Sequence, residues 1–122
     1  MKVWIEGKIV EGAQAKVSVT DHGLLYGDGV FEGMRVMAGR VFRVEQHLLR
    51  LSLGARSIGL TLPYSLPEIQ RIVEDTVRAH QEREAYIRLV VTRGEGPLGV
   101  DPTTCPQPNL FCIVSTIKLF SE

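Results

Sequence analysis

Hydrophobic positions along the chain change period twice. Up to residue 44 they follow the twofold repeat of strands. VWIEGKIV (3–10) reads as a hairpin turning at Glu6-Gly7, and AKVSV (15–19) as a short alternating strand. GVFEGMRVM (29–37) predicts a longer strand, Ala38-Gly39 a turn, and RVFRV (40–44) its return partner. From Val44 the repeat becomes helical. Val44, Leu48, Leu51, Ala55 and Ile58 form one stripe, and Gly59 ends that helix. SLPE (65–68) opens a second helix as a capping box, with Ser65 as N-cap and Glu68 reaching back. Ile69, Ile72, Val73 and Val77 supply its buried face. AYIRLVVTRG (85–94) and NLFCIVSTI (109–117) then predict two strands. The loop between them, GEGPLGVDPTTCPQP, carries four prolines and is long for a compact domain; such loops are usually functional or mobile. This order predicts an α+β domain, a mostly antiparallel sheet with two helices packed on it. KLFSE (118–122) follows a core-type strand and reads as a linker cut between domains or as an ordinary terminus.

Composition narrows the class. The chain has 122 residues, enough for one domain with one core, and 44% of them are hydrophobic against 23% charged. Net charge is zero and no run of Lys or Arg forms a patch, which argues against a nucleic-acid or anionic-membrane surface. Cys105 and Cys112 make no disulfide framework and no metal-ligand pattern. MKVWIEGK is charged too early for a secretory signal, and no apolar run approaches a transmembrane helix. The expectation is a cytoplasmic protein with reduced thiols.

Candidate chemistry falls in a few places. GEGPLG (94–99) matches the glycine spacing of a dinucleotide site, but the prolines forbid the helix that such a site requires, so the glycines serve tight turns and close approach. Along 29–37, alternation puts Phe31, Gly33 and Arg35 on one face, with Gly33 leaving a gap beside Phe31. That is either a pocket wall or a bulge with core aromatics. In AYIRLVV, Tyr86 and Arg88 share a face, and an arginine amid an apolar strand needs an anion or an acid partner. Either the pair holds a carboxylate or the face is wet and Arg88 is neutralised within the chain. On the first helix, His47, Arg50, Gly54 and Ser57 lie away from the leucine stripe. They make a phosphate seat, with room at Gly54, or simply a solvated face. Asp21-His22 is turn-like, where a local capping role outweighs catalysis. None of Lys2, Lys8, Lys16 and Lys118 has an apolar setting suited to Schiff-base chemistry.

VSVTDHGLLYGDGVFEGMRV, FRVEQHLLRL and AYIRLVVTRGEGPLGVDP, in this order and spacing, resemble the class IV aminotransferases of the branched-chain type, which use pyridoxal 5'-phosphate. The resemblance runs along essentially the whole chain. It implies that residues 1–122 are one domain, the smaller N-terminal domain of that fold, ending in or near an interdomain linker. It implies that Arg50 binds the cofactor phosphate and that Tyr26 and Phe31, with Gly33 beside them, line the substrate pocket. It also implies that Tyr86 and Arg88 recognise substrate carboxylates, including the distal carboxylate of glutamate. Leu98 and Val100 match residues that enter the neighbouring subunit's site, which implies a homodimer. The family's catalytic lysine and the segment holding the cofactor ring nitrogen lie beyond residue 122. The resemblance therefore implies no catalytic residue and no turnover in this chain alone, and it calls for no metal. FEGMR and YIR favour branched-chain amino acids and 2-oxoglutarate as substrates over the D-amino-acid aminotransferases and aminodeoxychorismate lyases, which share YGDG and TRG. A reading of another class is a free-standing binding or dimerisation module that kept the pocket wall without the chemistry.

Overall fold

The computed structural model describes residues 1–117; KLFSE at 118–122 lies outside the described residues. The strands are β1 (Lys2–Ile5), β2 (Lys8–Glu11), β3 (Gly29–Met37), β4 (Arg40–Val41), β5 (Ala85–Thr92) and β6 (Asn109–Thr116). The helices are α1 (His22–Tyr26), α2 (Val44–Ser57) and α3 (Leu66–His80). All strand pairs are antiparallel, in the order β2-β1-β6-β5-β3-β4.

Both short hairpins turn where their sequences allow positive φ. Glu6 and Gly7 have φ of 52° and 77°, and Ala38 and Gly39 have 52° and 79°, the conformation of a two-residue turn that follows strand twist. Two expectations fail. AKVSV joins no ladder, and Val17 and Val19 are exposed. Both sides of β1 are already taken by β2 and β6, and the turn closed by Asp21 N on Ser18 O directs the chain into α1. The return strand is also shorter than RVFRV. It stops at Val41 because Arg43 takes a left-handed φ of 55°, which breaks the extended run and starts α2.

The core lies on one face of the sheet. Leu48, Leu51 and Ala55 of α2 and Ile69, Val73 and Val77 of α3 pack against Met34, Val36, Ile87, Leu89, Val91, Cys112 and Val114. Each buried leucine, isoleucine or valine contributes about 1.5–3 kcal/mol relative to an exposed one. Burial pushes the Cys112 thiol up to about 12, so it acts as a small apolar filler. Gly59, with φ of 66°, follows α2, and Ser65 and Glu68 form the expected reciprocal cap on α3. No helix among the described residues is long and apolar enough to cross a membrane.

Ser65→Ala removes the side chain that accepts from Glu68 N, and the protein is expected to lose about 1 kcal/mol. Urea unfolding checks this; an unchanged midpoint would show that the cap adds nothing.

Candidate functional site

Strand alternation divides β3 between two environments. Val30, Glu32, Met34 and Val36 face the helices, while Phe31, Gly33 and Arg35 face the open side of the sheet. The ladder with β5 sets Gly33 opposite Arg88 and Arg35 opposite Tyr86. On the open side Tyr86 leans over Gly33. A Cβ there would stand 2.5 Å from the Tyr86 hydroxyl, so the tyrosine fills the gap expected beside Phe31. Arg88 Nη2 donates to Tyr86 Oη at 2.9 Å. Its guanidinium carbon lies 5.0 Å from the centroid of the Phe31 ring and 5.6 Å from that of Tyr86.

Among the described residues no carboxylate oxygen lies within 4.0 Å of a nitrogen of the Arg88 side chain. The alternative that an acid of the chain neutralises Arg88 is therefore not met there. Two aromatic faces and one hydroxyl orient a positive charge that remains free for an anion. Phe31, 60% exposed, offers an apolar wall next to it.

The helix side of the same strand holds a second group. Glu32 is 6% exposed, and Arg50 and His47 both reach its carboxylate. Arg50 Nε donates to Glu32 Oε2 at 2.9 Å and Arg50 Nη2 to Oε1 at 2.8 Å, a bidentate pair. His47 Nδ1 lies 2.7 Å from Oε1. Burial pushes the Glu32 carboxyl up, but the bonds from Arg50 and His47 outweigh it and hold the group below the usual carboxylate range. Glu32 in turn raises Arg50 above the ordinary arginine value through its hydrogen bonds and its charge. The Arg50 side chain is 71% exposed, so its outer face is open while its inner edge is fixed. At Gly54 a Cβ would meet only Val30 Cγ1, at an ordinary contact distance of 3.5 Å.

Glu32 was not among the candidates from sequence. Its signal was present: an acid between Val30 and Met34 on the buried face of a strand requires partners.

These two groups are on opposite faces of β3, and Arg88, Phe31, Glu32 and Arg50 line neither of two clefts in the molecule. β4 covers the outer edge of β3 only at Val36 and Met37. A cleft of about 590 Å³ is lined by Gly33, Tyr86 and Ser115 together with Phe42 and His47. A larger cleft of about 960 Å³ lies elsewhere, by Trp4, Tyr64, Glu95 and Asn109. None of the residues singled out for ligand binding lines it, and both oxygens of Asp21 at its wall are already used by Gly23, Thr92 and Asn109. The smaller cleft is the better candidate.

Tyr26, Leu98 and Val100 form a third group. Asp21 accepts from Gly23 N and caps α1, the local role expected for it. Tyr26, the last residue of α1, accepts a hydrogen bond from Gly99 N at 2.7 Å. The glycines of the loop serve close approach to the protein itself: a Cβ at Gly94 would lie 1.8 Å from Gln107 O. The ion pair of Arg93 with Asp28, whose guanidinium also donates to Ile58 O and Gly59 O at the end of α2, was another feature the pattern did not disclose.

Known proteins of this kind exist. The family model described as amino-transferase class IV matches residues 29–121. A Methanocaldococcus jannaschii protein named as a branched-chain-amino-acid aminotransferase is 51% identical over 113 residues, which are 93% of this chain and 39% of that protein. The D-alanine aminotransferase of Bacillus licheniformis is 35% identical over 97 residues, 80% of this chain and 34% of the relative. The solved structure of the T.th. branched-chain amino acid aminotransferase complexed with N-(5'-phosphopyridoxyl)-L-glutamate has a TM-score of 0.88 at 28% identity, covering 95% of this chain and 40% of that one. The chain thus spans no more than about two fifths of the length of these proteins.

Gly33→Ala and Tyr86→Ala are expected to couple. The first alone strains the tyrosine; after the second the alanine is tolerated, so the paired cost falls short of the sum by roughly 0.5 kcal/mol or more. A denaturation cycle measures it, and additive costs would mean that the ring does not press on Gly33.

Proposed function

Since the chain belongs to the class IV aminotransferases, we propose that it forms the substrate and phosphate wall of an enzyme that moves an amino group between branched-chain amino acids and 2-oxoglutarate. The observation that carries this reading is the free guanidinium of Arg88, oriented by Phe31 and Tyr86 on the open face of the sheet. One pocket must accept leucine-like side chains and the carboxylate of glutamate in turn. An apolar wall with one aromatic-held arginine suits both. The 51% identical relative and the complex with the glutamate adduct support the choice of substrates. The D-alanine aminotransferase relative supports a second reading, separated from the first by assaying D-alanine beside leucine.

The residues present fit pyridoxal 5'-phosphate. Arg50, held by Glu32 and flanked by His47, would offer its open face to the phosphate. The bound cofactor supplies the electron sink for chemistry at the α-carbon. Arg88 and Tyr86 bind and orient the substrate carboxylate. Phe31 excludes water from the apolar side chain. Among the described residues no lysine is placed to move the α-proton: Lys2 and Lys8 are on β1 and β2, the strands farthest from β3, with Lys2 paired with Glu11, and Lys16 is exposed in the segment between β2 and α1. The catalytic lysine is assigned to a part of the protein outside these 122 residues, and the chain alone is expected to be inactive. Leu98 and Val100, both large and exposed, are assigned to a homodimer contact at the neighbouring site. The two free thiols support a cytoplasmic setting.

Arg88→Ala in the full-length enzyme is expected to lower kcat/KM for glutamate roughly 10- to 100-fold, the worth of a charge-assisted bond, and that for leucine far less. Equal losses in both half-reactions would remove the distal-carboxylate role. Arg50→Ala is expected to weaken cofactor retention by a similar factor. Equilibrium dialysis reads this directly, and unchanged affinity would sink the phosphate assignment.

A further inference from the structure

Residues 20–28 and 93–99 run beside each other and are laced together. Gly96 N donates to Thr20 O at 3.2 Å, His22 N to Gly94 O at 2.9 Å and Arg93 N to Asp28 O at 2.9 Å. Two side chains of α1 then reach further along the loop. His22 Nε2 lies 2.9 Å from Pro97 O, and Tyr26 Oη accepts from Gly99 N at 2.7 Å. The held groups flank Leu98, which is 80% exposed, and Val100 just beyond is 76% exposed. An exposed leucine on a loop ordinarily moves with its backbone; here the peptide groups on both sides of it are tied.

His22 is a costly residue for its place. The ring is wholly buried, and Nδ1 has no hydrogen-bond partner among the described residues. A carbonyl only accepts, so Nε2 is the donor to the loop and Nδ1 makes no bond. A buried polar atom without a partner is unfavourable. An apolar ring would keep the edge-on contact with Tyr26, at 4.9 Å and 82°, without that penalty. The only hydrogen bond that the imidazole makes among the described residues is the one to the loop. Gly96 permits the approach, since a Cβ there would lie 2.9 Å from Nε2.

We propose that His22 is a positioning residue, and that α1 clamps the loop so that Leu98 and Val100 are presented in one place to the active site of a second copy of this chain. The destination of the two side chains rests on the dimeric aminotransferase reading above. The clamp itself rests on the bonds from α1 to the loop. Tyr26 holds the loop through its hydroxyl while its ring packs edge-on against His22.

The test uses the full-length protein loaded with pyridoxal 5'-phosphate, with His22→Phe, Tyr26→Phe and His22→Gln as variants. Each phenylalanine removes one neutral hydrogen bond, worth roughly fivefold in an opening equilibrium. Amide exchange at Gly99 and Val100 is expected to quicken about fivefold in both, while exchange across residues 86–91 stays as in the parent. In His22→Phe the KM for leucine is expected to rise severalfold, with cofactor content and dimer mass unchanged. His22→Gln keeps a donor and is expected to restore much of both. Unchanged exchange at Gly99 overturns the clamp. Faster exchange with the parental KM overturns the positioning role. A parent that does not transaminate overturns the aminotransferase reading and the positioning role with it, whereas exchange still decides the clamp.

Discussion

The ladder between β3 and β5 is the constraint on which the other features depend. Gly33 opposite Arg88 and Met34 opposite Ile87 belong to one register. In that register the apolar residues of both strands meet the helices, and Phe31, Gly33, Tyr86 and Arg88 gather on the other side. A slip of one residue would turn Arg88 into the core and Ile87 outward. The core therefore enforces the site. Because Ile87, Leu89 and Val91 must be buried, Tyr86 and Arg88 have no freedom to face elsewhere.

Glu32 is the exception to that alternation. It faces the helices with Val30 and Met34, and a buried carboxylate is tolerable only when charged partners reach it. Arg50 does so from one side of α2, with His47 bonded to the same carboxylate. The result joins helix and strand by an ion pair at the margin of the core, where one end of each basic side chain is fixed and the other is open. Arg88 is treated differently. It has aromatic rings and a hydroxyl for company, so its charge is oriented without being neutralised. Two arginines, one on the helix side of the sheet and one on its open side, thus offer two anion-seeking surfaces.

The regular elements were legible from period and caps. GVFEGMRVM, SLPE and the stripe from Val44 to Ile58 announce a strand, a capped helix and a second helix, because each pattern has one physical solution. AKVSV misled because alternation alone does not supply a strand edge to pair with. The short α1 is hidden from such a reading because one turn of helix is too brief to show a period, although its Asp21 cap was recognisable.

The sequence by itself determined which residues share a face: Phe31 with Gly33, Tyr86 with Arg88, and His47 with Arg50. Those placements follow from bond geometry and the twofold or 3.6-fold repeat. Only the tertiary structure decided which faces meet. Gly33 receives the Tyr86 ring, Arg50 finds Glu32, and Tyr26 and His22 hold the loop from Gly94 to Gly99. Each of these contacts joins segments far apart in the chain, and their distances are fixed by sheet order and core packing, which no local pattern encodes.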